Sequence, residues 1–478
     1  MKNSLVIFLI AFGLTIGFHF LLAERMFGLA FIFFVLLGLL AILGVAAFAK
    51  GFHNGWAFLF LIPVAFTLIA ELLYANEVVH RLGFFIPFIS LAFFAYWLTA
   101  EHEPLKTLKS FWPISFFVET IFPFLGLGKM FSGESYSKHI WQVVLGLIIA
   151  VPFLFIFGSL FASADPLFGQ SISHFFNTEN IGPLLGKLSR DGIVGVFFLA
   201  FGWTMFTRVH AHRGKITIER NWNIIRHPLM LDTFLIVLNV FFLIFLGYQA
   251  VYFFGGAAMI QLQGITYASY AREGFFQLLM VGALVFLLSS AIYRTSRIQR
   301  FLTCLLITTL IVETGVILAS ALKRLILYVQ AYGLTVSRSW AMIVILFIAA
   351  ILILLIMSLW RRFQFSTLAK ISFLSTLIFF SFVLLFNMEG FVARWNIQRF
   401  LHQQSSTLDV SYLEHLSSDA LPELADFSIQ SWPTVITDRA LVQTTLKNAR
   451  LNLLERSKDW RNLVWSDYRA LTALESFK

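Results

Sequence analysis

Cysteine and charge are both scarce in this sequence. Cys304 is the only cysteine among 478 residues, which excludes any disulfide within the chain and leaves packing and hydrogen bonds to hold every part of it. Charged residues make up 13% of the sequence and hydrophobic residues 59%, whereas roughly a quarter of a soluble domain is charged. This composition excludes an ordinary soluble protein and predicts a chain that lies mostly within a membrane.

The shortage of charge ends near Met388. Residues 389–478 carry 10 Lys and Arg and 11 Asp and Glu, while the 388 residues before them carry 25 and 14. We therefore predict two domains: a transmembrane helix bundle over 1–388 and a small helical tail outside the membrane over 389–478. The predicted fold class is all-α and polytopic.

Apolar segments long enough to cross a bilayer follow one another along the first domain. A spanning helix needs about 20 apolar residues, and about eleven segments qualify. A further segment, 111–127, holds Pro113, Glu119 and Pro123, so we expect it to be re-entrant or interfacial rather than a twelfth span. The eleven predicted spans are 4–22, 27–49, 56–75, 83–100, 140–161, 192–207, 233–254, 275–293, 301–321, 339–359 and 368–388.

The basic residues between the spans predict an orientation. With the N-terminus in the cytoplasm, the inner segments hold 17 Lys and Arg and the outer connections 8, among them Arg272 and Arg324. Cytoplasmic connections collect basic residues, so this arrangement is favoured, and an odd number of spans places the tail outside the cytoplasm. A twelfth span at 111–127 would reverse the side of everything that follows it.

The net charge of +10 does not point to nucleic acid. The tail is close to neutral, so the basic excess belongs to the bundle and is explained by its orientation. The longest inner connection, 208–227, has five basic residues against Glu219, and we expect it to bind anionic lipid head groups.

One ionisable residue stands near the middle of a predicted span. Glu313 lies in an apolar run, with Thr309 one turn before it. A carboxyl group is costly at this depth and usually faces the bundle or a cavity. It could take up a proton or cation during transport, or stay protonated and donate one hydrogen bond to a neighbouring helix. Because no Ser/His/Asp, Cys/His or paired-carboxylate arrangement has the spacing of an enzyme, we predict no catalytic, cofactor-binding or metal-binding residue.

An outer connection carries a second group of candidate residues. Tyr267 and Tyr270 are three residues apart, so on a helix their rings share a face and can anchor at the membrane interface. Glu273 precedes a span, where its charge complements the helix dipole. Arg272 is predicted to pair with an acidic residue of the tail.

The tail has the capping residues of short helices. Asp409, and then Ser418 or Asp419, are predicted helix N-caps, and Pro422 fits the first turn that follows. Two longer helices are predicted near 437–457 and 459–475, the second from apolar residues at helical spacing.

Three motifs taken together resemble a bacterial integral membrane family known only as a domain of unknown function. They read Y-x-x-Y-A-R-x-G-F-F-Q-L from Tyr267, A-R-x-N-I from Ala393 and L-D-x-x-Y-L-x-x-L-S-x-D-A-x-P from Leu408. The resemblance lies mainly within 230–478. It implies a multi-pass protein of the bacterial cytoplasmic membrane, and the residues that it singles out are Tyr270, Arg272, Arg394, Asn396, Tyr412 and Asp419.

Three functions are compatible with these features. The leading hypothesis is a non-enzymatic component of envelope assembly, signalling or scaffolding, whose tail binds the mouth of the bundle or an envelope protein. The alternative is a proton- or ion-coupled secondary transporter or channel that uses Glu313. A membrane-embedded transferase near Arg272 and Glu273 is a third, which would need a carboxylate or metal cluster that the sequence does not display.

Overall fold

The computed structural model describes most of the chain and is helical in the part that it describes. The described ranges hold helices and turns without a β-strand, which confirms the all-α fold. Helices suit a membrane chain because each satisfies its own backbone hydrogen bonds. The described residues are 2–22, 28–48, 52–99, 137–175, 228–262, 274–295, 300–402, 408–429 and 436–475.

Eleven described helices precede the tail, and most are long and apolar. A 3₁₀ turn over Gly55–Phe60 leads directly into the third helix. The helices are α1 (Lys2–Leu22), α2 (Leu29–Phe48), α3 (Leu61–Leu73), α4 (Glu77–Thr99), α5 (Ser137–Ala164), α6 (Pro166–Phe175), α7 (Pro228–Leu262), α8 (Phe275–Thr295), α9 (Phe301–Tyr332), α10 (Val336–Trp360) and α11 (Phe365–Val383).

The tail helices are shorter, except for α15, which has 21 residues. Two 3₁₀ turns, Ser418–Ala420 and Trp460–Asn462, punctuate them. The helices are α12 (Met388–Leu401), α13 (Val410–Glu414), α14 (Leu421–Ile429), α15 (Ile436–Arg456) and α16 (Trp465–Ala473). The helix predicted near 437–457 corresponds to α15. The helix predicted near 459–475 is not continuous, because extended backbone at Leu463 and Val464 separates the 3₁₀ turn from α16.

Within the described ranges, nine helices are long and apolar enough to cross a membrane, and Phe12–Leu22 of α1 is a shorter apolar helix. Ten of the eleven predicted spans thus coincide with described helices, as a multi-span membrane protein requires. The predicted span 192–207 and the predicted re-entrant segment 111–127 lie outside the described residues.

The chain divides into two compact units. Unit 1 comprises Met1–Lys106, Leu334–Ser339 and Ile371–Lys478, and unit 2 comprises Thr107–Gly333 and Trp340–Lys370. The predicted domain boundary at 388 concerns the membrane surface rather than compactness, and it stays a prediction.

Unit 1 joins the first four helices to the tail. Helix α2 packs on α1, α3 and α4, and α3 packs on α4. The tail has a core of its own in which α12 to α16 meet. Its fully buried side chains include Leu413, Phe427, Leu446 and Leu474.

Unit 2 is built around α7 and α9. Helix α7 packs on α5 and α9, and α8 packs on α9 and α5. Gly146 and Met230 approach each other near the starts of α5 and α7, and the rings of Phe161, near the end of α5, and Phe245, in the middle of α7, stack at 3.8 Å. The two helices are therefore parallel, as the predicted order of spans requires, since it places 192–207 between them.

Candidate functional site

Asp419 fixes the tail to the turn between α3 and α4. Its Oδ1 accepts a hydrogen bond from the backbone N–H of Ala75 at 3.0 Å, and its Oδ2 accepts one from Nδ2 of Asn76 at 3.0 Å. Asn76 in turn accepts from the N–H of Val79 at 2.9 Å in the first turn of α4. The Asp419 side chain is 3% exposed, so it connects a 3₁₀ turn of the tail with the cap of a membrane helix.

Asn396 and Tyr412 hold a second turn, which lies between α9 and α10. The Asn396 amide accepts from the N–H of Leu334 at 3.0 Å and donates to the carbonyl oxygen of the same residue at 2.8 Å. The Tyr412 hydroxyl accepts from the N–H of Val336 at 2.9 Å. Backbone groups at helix ends have no hydrogen-bond partner within the helix. The side chains of Asn396 and Tyr412 supply hydrogen-bond partners here. We refer to Asn396, Tyr412 and Asp419 as the docking residues.

Two buried carboxyl groups brace the tail near Asp419. Glu389 accepts from the N–H of Ser417 at 2.6 Å, and Asp467 accepts from the hydroxyl of Ser418. Burial raises the pKa of Glu389, although the hydrogen bonds from Ser417 oppose the shift. Burial also raises the pKa of Asp467, against the opposing effects of Ser418 and Arg456. Both groups therefore bind a proton more readily than an exposed carboxyl group does.

Arg394 has a role inside the tail. Its Nε lies 3.1 Å from both carboxylate oxygens of Glu423. The pair joins α12 to α14, but the Arg394 side chain is largely exposed, so the contribution to stability is small, about 0–1 kcal/mol.

The caps of the tail agree only in part with the prediction. Asp409 accepts from the N–H of Tyr412 at 2.9 Å and caps α13, as predicted. The prediction of Ser418 or Asp419 as the next cap is wrong by one residue, because Ser417 caps the 3₁₀ turn and accepts from the N–H of Asp419. Asp419 is free of that role because its carboxylate is bonded to Ala75 and Asn76.

A row of buried polar side chains runs along α9 in unit 2, and Glu313 lies at its centre. Glu313 is 4% exposed, and within the described part of the chain neither of its carboxylate oxygens has a hydrogen-bond partner. Glu313, Ser320 and Arg324 follow at spacings of seven and four residues, which places them on one helix face. Ser320 donates to Gln249 of α7.

Ion pairs mark the two ends of this row. Arg324 is 2% exposed and donates to the Ala164 carbonyl oxygen at 2.7 Å and to Asp165 at 3.1 Å. At the other end, Asp232 accepts from Arg300 at 2.9 Å and from the hydroxyl of Thr303 at 2.6 Å. With a rise of about 1.5 Å per residue, Glu313 lies roughly 15 Å from each end.

Most of this row is not among the residues predicted from the sequence. The predicted span ends at 321, which places Arg324 in an outer connection, whereas α9 continues to Tyr332. The apolar run Leu325-Ile326-Leu327 after Arg324 was the signal that the helix continues. Asp165 directly precedes Pro166, a pattern typical of a helix start, and its Oδ1 accepts from the N–H of Leu167.

The remaining predicted sites lie outside the described residues. Tyr267, Tyr270, Arg272 and Glu273 belong to this group, so the predicted pairing of Arg272 with an acid of the tail stays a prediction. The basic connection 208–227, predicted to bind anionic lipid, also lies outside. Among the described residues, no group of three or more His, Cys, Asp or Glu side chains could hold a metal ion.

The sequence matches one protein family over most of its length. The family is described as "Domain of unknown function (DUF4153)", and the match covers residues 5–427. The chain belongs to the DUF4153 family. The DUF4153 match includes the row along α9 and all three docking residues, while α15 and α16 follow the matched residues. No curated protein and no solved structure matches the chain.

Proposed function

We propose that the protein is a non-catalytic component of the bacterial cytoplasmic membrane whose tail is a binding module for an envelope protein. The observation that carries the proposal is the use of Asn396, Tyr412 and Asp419 to hold backbone groups of two turns between membrane helices. These hydrogen bonds position the tail. The outer face of the tail takes no part in them and can bind a partner.

The outer face of α15 supports this proposal. Leu451 and Leu454 are exposed on the side of α15 opposite the core residues Val442 and Leu446. These two side chains lie within one turn of a solvated helix and offer apolar area that a protein partner can bury. Lys447 is exposed between them at helical spacing, which gives this face both apolar and polar contacts.

Photo-crosslinking in cells tests this function. A photoreactive amino acid at Leu451 or Leu454 is expected to give one adduct of discrete mass, while the same group at exposed Asn452, on the flank of α15, gives little. The double variant Asn396→Ala with Asp419→Ala is expected to reduce the adduct several-fold, because the tail is no longer held. An adduct that is equally strong in the double variant, or no adduct at either leucine, contradicts the proposal.

Ion-coupled transport is the second candidate, and the row along α9 favours it. In the sequence, Glu313 is a single acidic residue near the middle of a span. In the structure, it shares a buried helix face with Ser320 and Arg324 and lies between two ion pairs. Polar groups aligned across a membrane mark ion and proton pathways in many transport proteins. An unpartnered carboxyl group at the middle of such a row suits the uptake and release of a proton.

Transport is testable without knowing the substrate. Proteoliposomes would be challenged on a solid-supported membrane with a panel of inorganic ions, amino acids and sugars, and transient currents recorded. Glu313→Gln is expected to abolish any current that the wild type shows, while Glu77→Gln, at an exposed carboxylate outside the row, leaves it unchanged. If a well-folded Glu313→Gln protein gives currents as large as those of the wild type, ion-coupled transport through Glu313 is excluded.

A further inference from the structure

The end of the tail exposes several large apolar side chains. Trp465 is 50% and Tyr468 61% exposed, and their rings lie 5.4 Å apart. Trp460 and Leu463 are about half exposed as well. We refer to Trp460, Leu463, Trp465 and Tyr468 as the aromatic patch. Four large apolar side chains that are each about half exposed in a charged tail imply that something covers them.

The aromatic patch begins against two membrane helices. The Trp460 ring packs edge-on against Phe33, with ring centroids 6.1 Å apart. Phe33 lies in the second turn of the candidate span Leu29–Phe48 and is itself exposed. Arg461 donates to the carbonyl oxygen of Phe20, near the end of α1, at 3.3 Å. Trp460 therefore lies at the level where α1 ends and α2 begins.

Gly28 permits this close approach. Its φ of +94° favours glycine, and a Cβ at this position would lie 3.0 Å from the carbonyl oxygen of Arg461. The backbone of the Trp460–Asn462 turn thus rests directly on the start of α2.

The helix that carries Trp465 and Tyr468 lies against another membrane helix. Helix α16 packs on α3, with Ser466, Asp467 and Ala470 buried and Trp465 and Tyr468 exposed. Leu72, in the last turn of α3, is also exposed. The patch therefore contacts exposed apolar surface at the start of α2, and the helix that carries Trp465 and Tyr468 packs on α3.

We propose that the aromatic patch is an interfacial anchor whose occupant is the lipid of the bilayer. Trp and Tyr are enriched at membrane interfaces because their rings are amphipathic, and a short amphipathic segment can lie in the plane of the interface. Arg469 is exposed and follows Tyr468 directly in the sequence, so it can bind a lipid phosphate, whereas Arg461 is paired with Asp459. The tail is thereby held by protein turns through the docking residues and by lipid through the patch. This inference is independent of the two proposed functions.

Site-directed spin labelling of the full chain tests the anchor. In a Cys304→Ala background, labels at Leu463→Cys and Tyr468→Cys are compared with labels at Gln443→Cys and Lys447→Cys, which lie on the exposed side of α15. The protein is reconstituted into liposomes of phosphatidylethanolamine and phosphatidylglycerol. Accessibility is measured to oxygen, which partitions into lipid, and to a water-soluble nickel complex.

The anchor predicts an oxygen-to-nickel accessibility ratio several-fold higher at Leu463→Cys and Tyr468→Cys than at the two α15 positions. Nickel accessibility equal to that of the α15 positions would show that the patch faces water, and it overturns the proposal. Low accessibility to both reagents would show that protein covers the patch, either a second copy or another part of the chain, and it overturns the choice of lipid.

Discussion

Single side chains hold the tail, because each docking residue reaches backbone groups of a turn. Asn396 uses both halves of its amide on Leu334, and Asp419 binds the N–H of Ala75. A buried backbone group left without a partner costs about 1–3 kcal/mol, so these positions tolerate few replacements. Sequence motifs singled out these residues as candidates, and a function for them stays a prediction. Their bonding partners were not predictable, since Ala75 and Leu334 carry no polar side chain.

Gly28 allows the backbone of the tail to approach the start of α2, and replacing it tests this contact. Gly28→Ala forces a Cβ into a backbone conformation that costs about 1–2 kcal/mol for L-residues and crowds the Arg461 carbonyl group. We expect the Trp460–Asn462 turn to detach and the half-life of the chain against trypsin to fall several-fold. Gly44→Ala is the matched control, because a Cβ there meets nothing within 4 Å. Equal half-lives for the two variants would contradict the contact.

At the scale of helices, the apolar pattern predicted positions better than ends. The spans predicted at 275–293 and 339–359 agree with α8 and α10 to within a few residues, because length and apolar composition suffice. The helix predicted to end at 321 continues to Tyr332. Arg324 is buried within it and pairs with Asp165, which is distant in sequence.

The Arg324–Asp165 pair gives a prediction for α9. Asp165→Asn keeps an oxygen for the cap of α6 but leaves the Arg324 charge buried without its counter-ion. Breaking a buried pair costs about 3–5 kcal/mol, so we expect a large fall in the thermal midpoint of the detergent-solubilised protein. Glu77→Gln, which breaks the exposed pair with Arg81, serves as the control, with an expected cost of about 0–1 kcal/mol. Similar midpoints for both variants would mean that the Arg324–Asp165 pair is solvated.

The tail helices should respond to pH through Glu389 and Asp467. Burial raises both pKa values, so the folded tail binds these protons more tightly than the unfolded chain. Their contribution to stability is therefore complete below the unfolded pKa values, about 4, and is lost as the pH rises through the folded values. We expect the urea midpoint of tail unfolding, followed by a dye at Lys447→Cys in a Cys304→Ala background, to fall as the pH rises above about 4.5.

A carboxamide variant isolates this effect. Glu389→Gln is expected to flatten part of the pH dependence, whereas Glu475→Gln, at an exposed carboxyl group, is expected to leave it unchanged. An unchanged slope in Glu389→Gln would exclude this residue as its source.

At the scale of the whole molecule, composition and the sequence of apolar segments predicted the all-helical membrane fold. The arrangement of the tail was not predictable, because it depends on bonds between residues more than 300 positions apart, such as Asp419 and Asn76. Hydrophobic periodicity reports which face of a helix is buried, but not which distant turn it meets.

The fold places the tail and Gly55 on opposite sides of the membrane. The tail binds the turn after α3, whereas Gly55 lies at the start of the same span, about 28 Å away along the helix. In a Cys304→Ala background, a membrane-impermeant maleimide should label Asn452→Cys, which lies outside the proposed binding face of α15, in intact cells and Gly55→Cys only after permeabilisation. Labelling of both from one side contradicts the fold, and the reverse pattern contradicts the predicted orientation.

Hydrogen–deuterium exchange of the full chain in lipid nanodiscs measures the binding of the tail most directly. Asp419→Ala should speed exchange in peptides that contain Ala75 while leaving those around Leu334 and Val336 protected, because the two turns are held by different side chains. Asn396→Ala should give the reverse pattern. If neither variant changes the exchange of its own turn, the docking residues do not hold the tail in place.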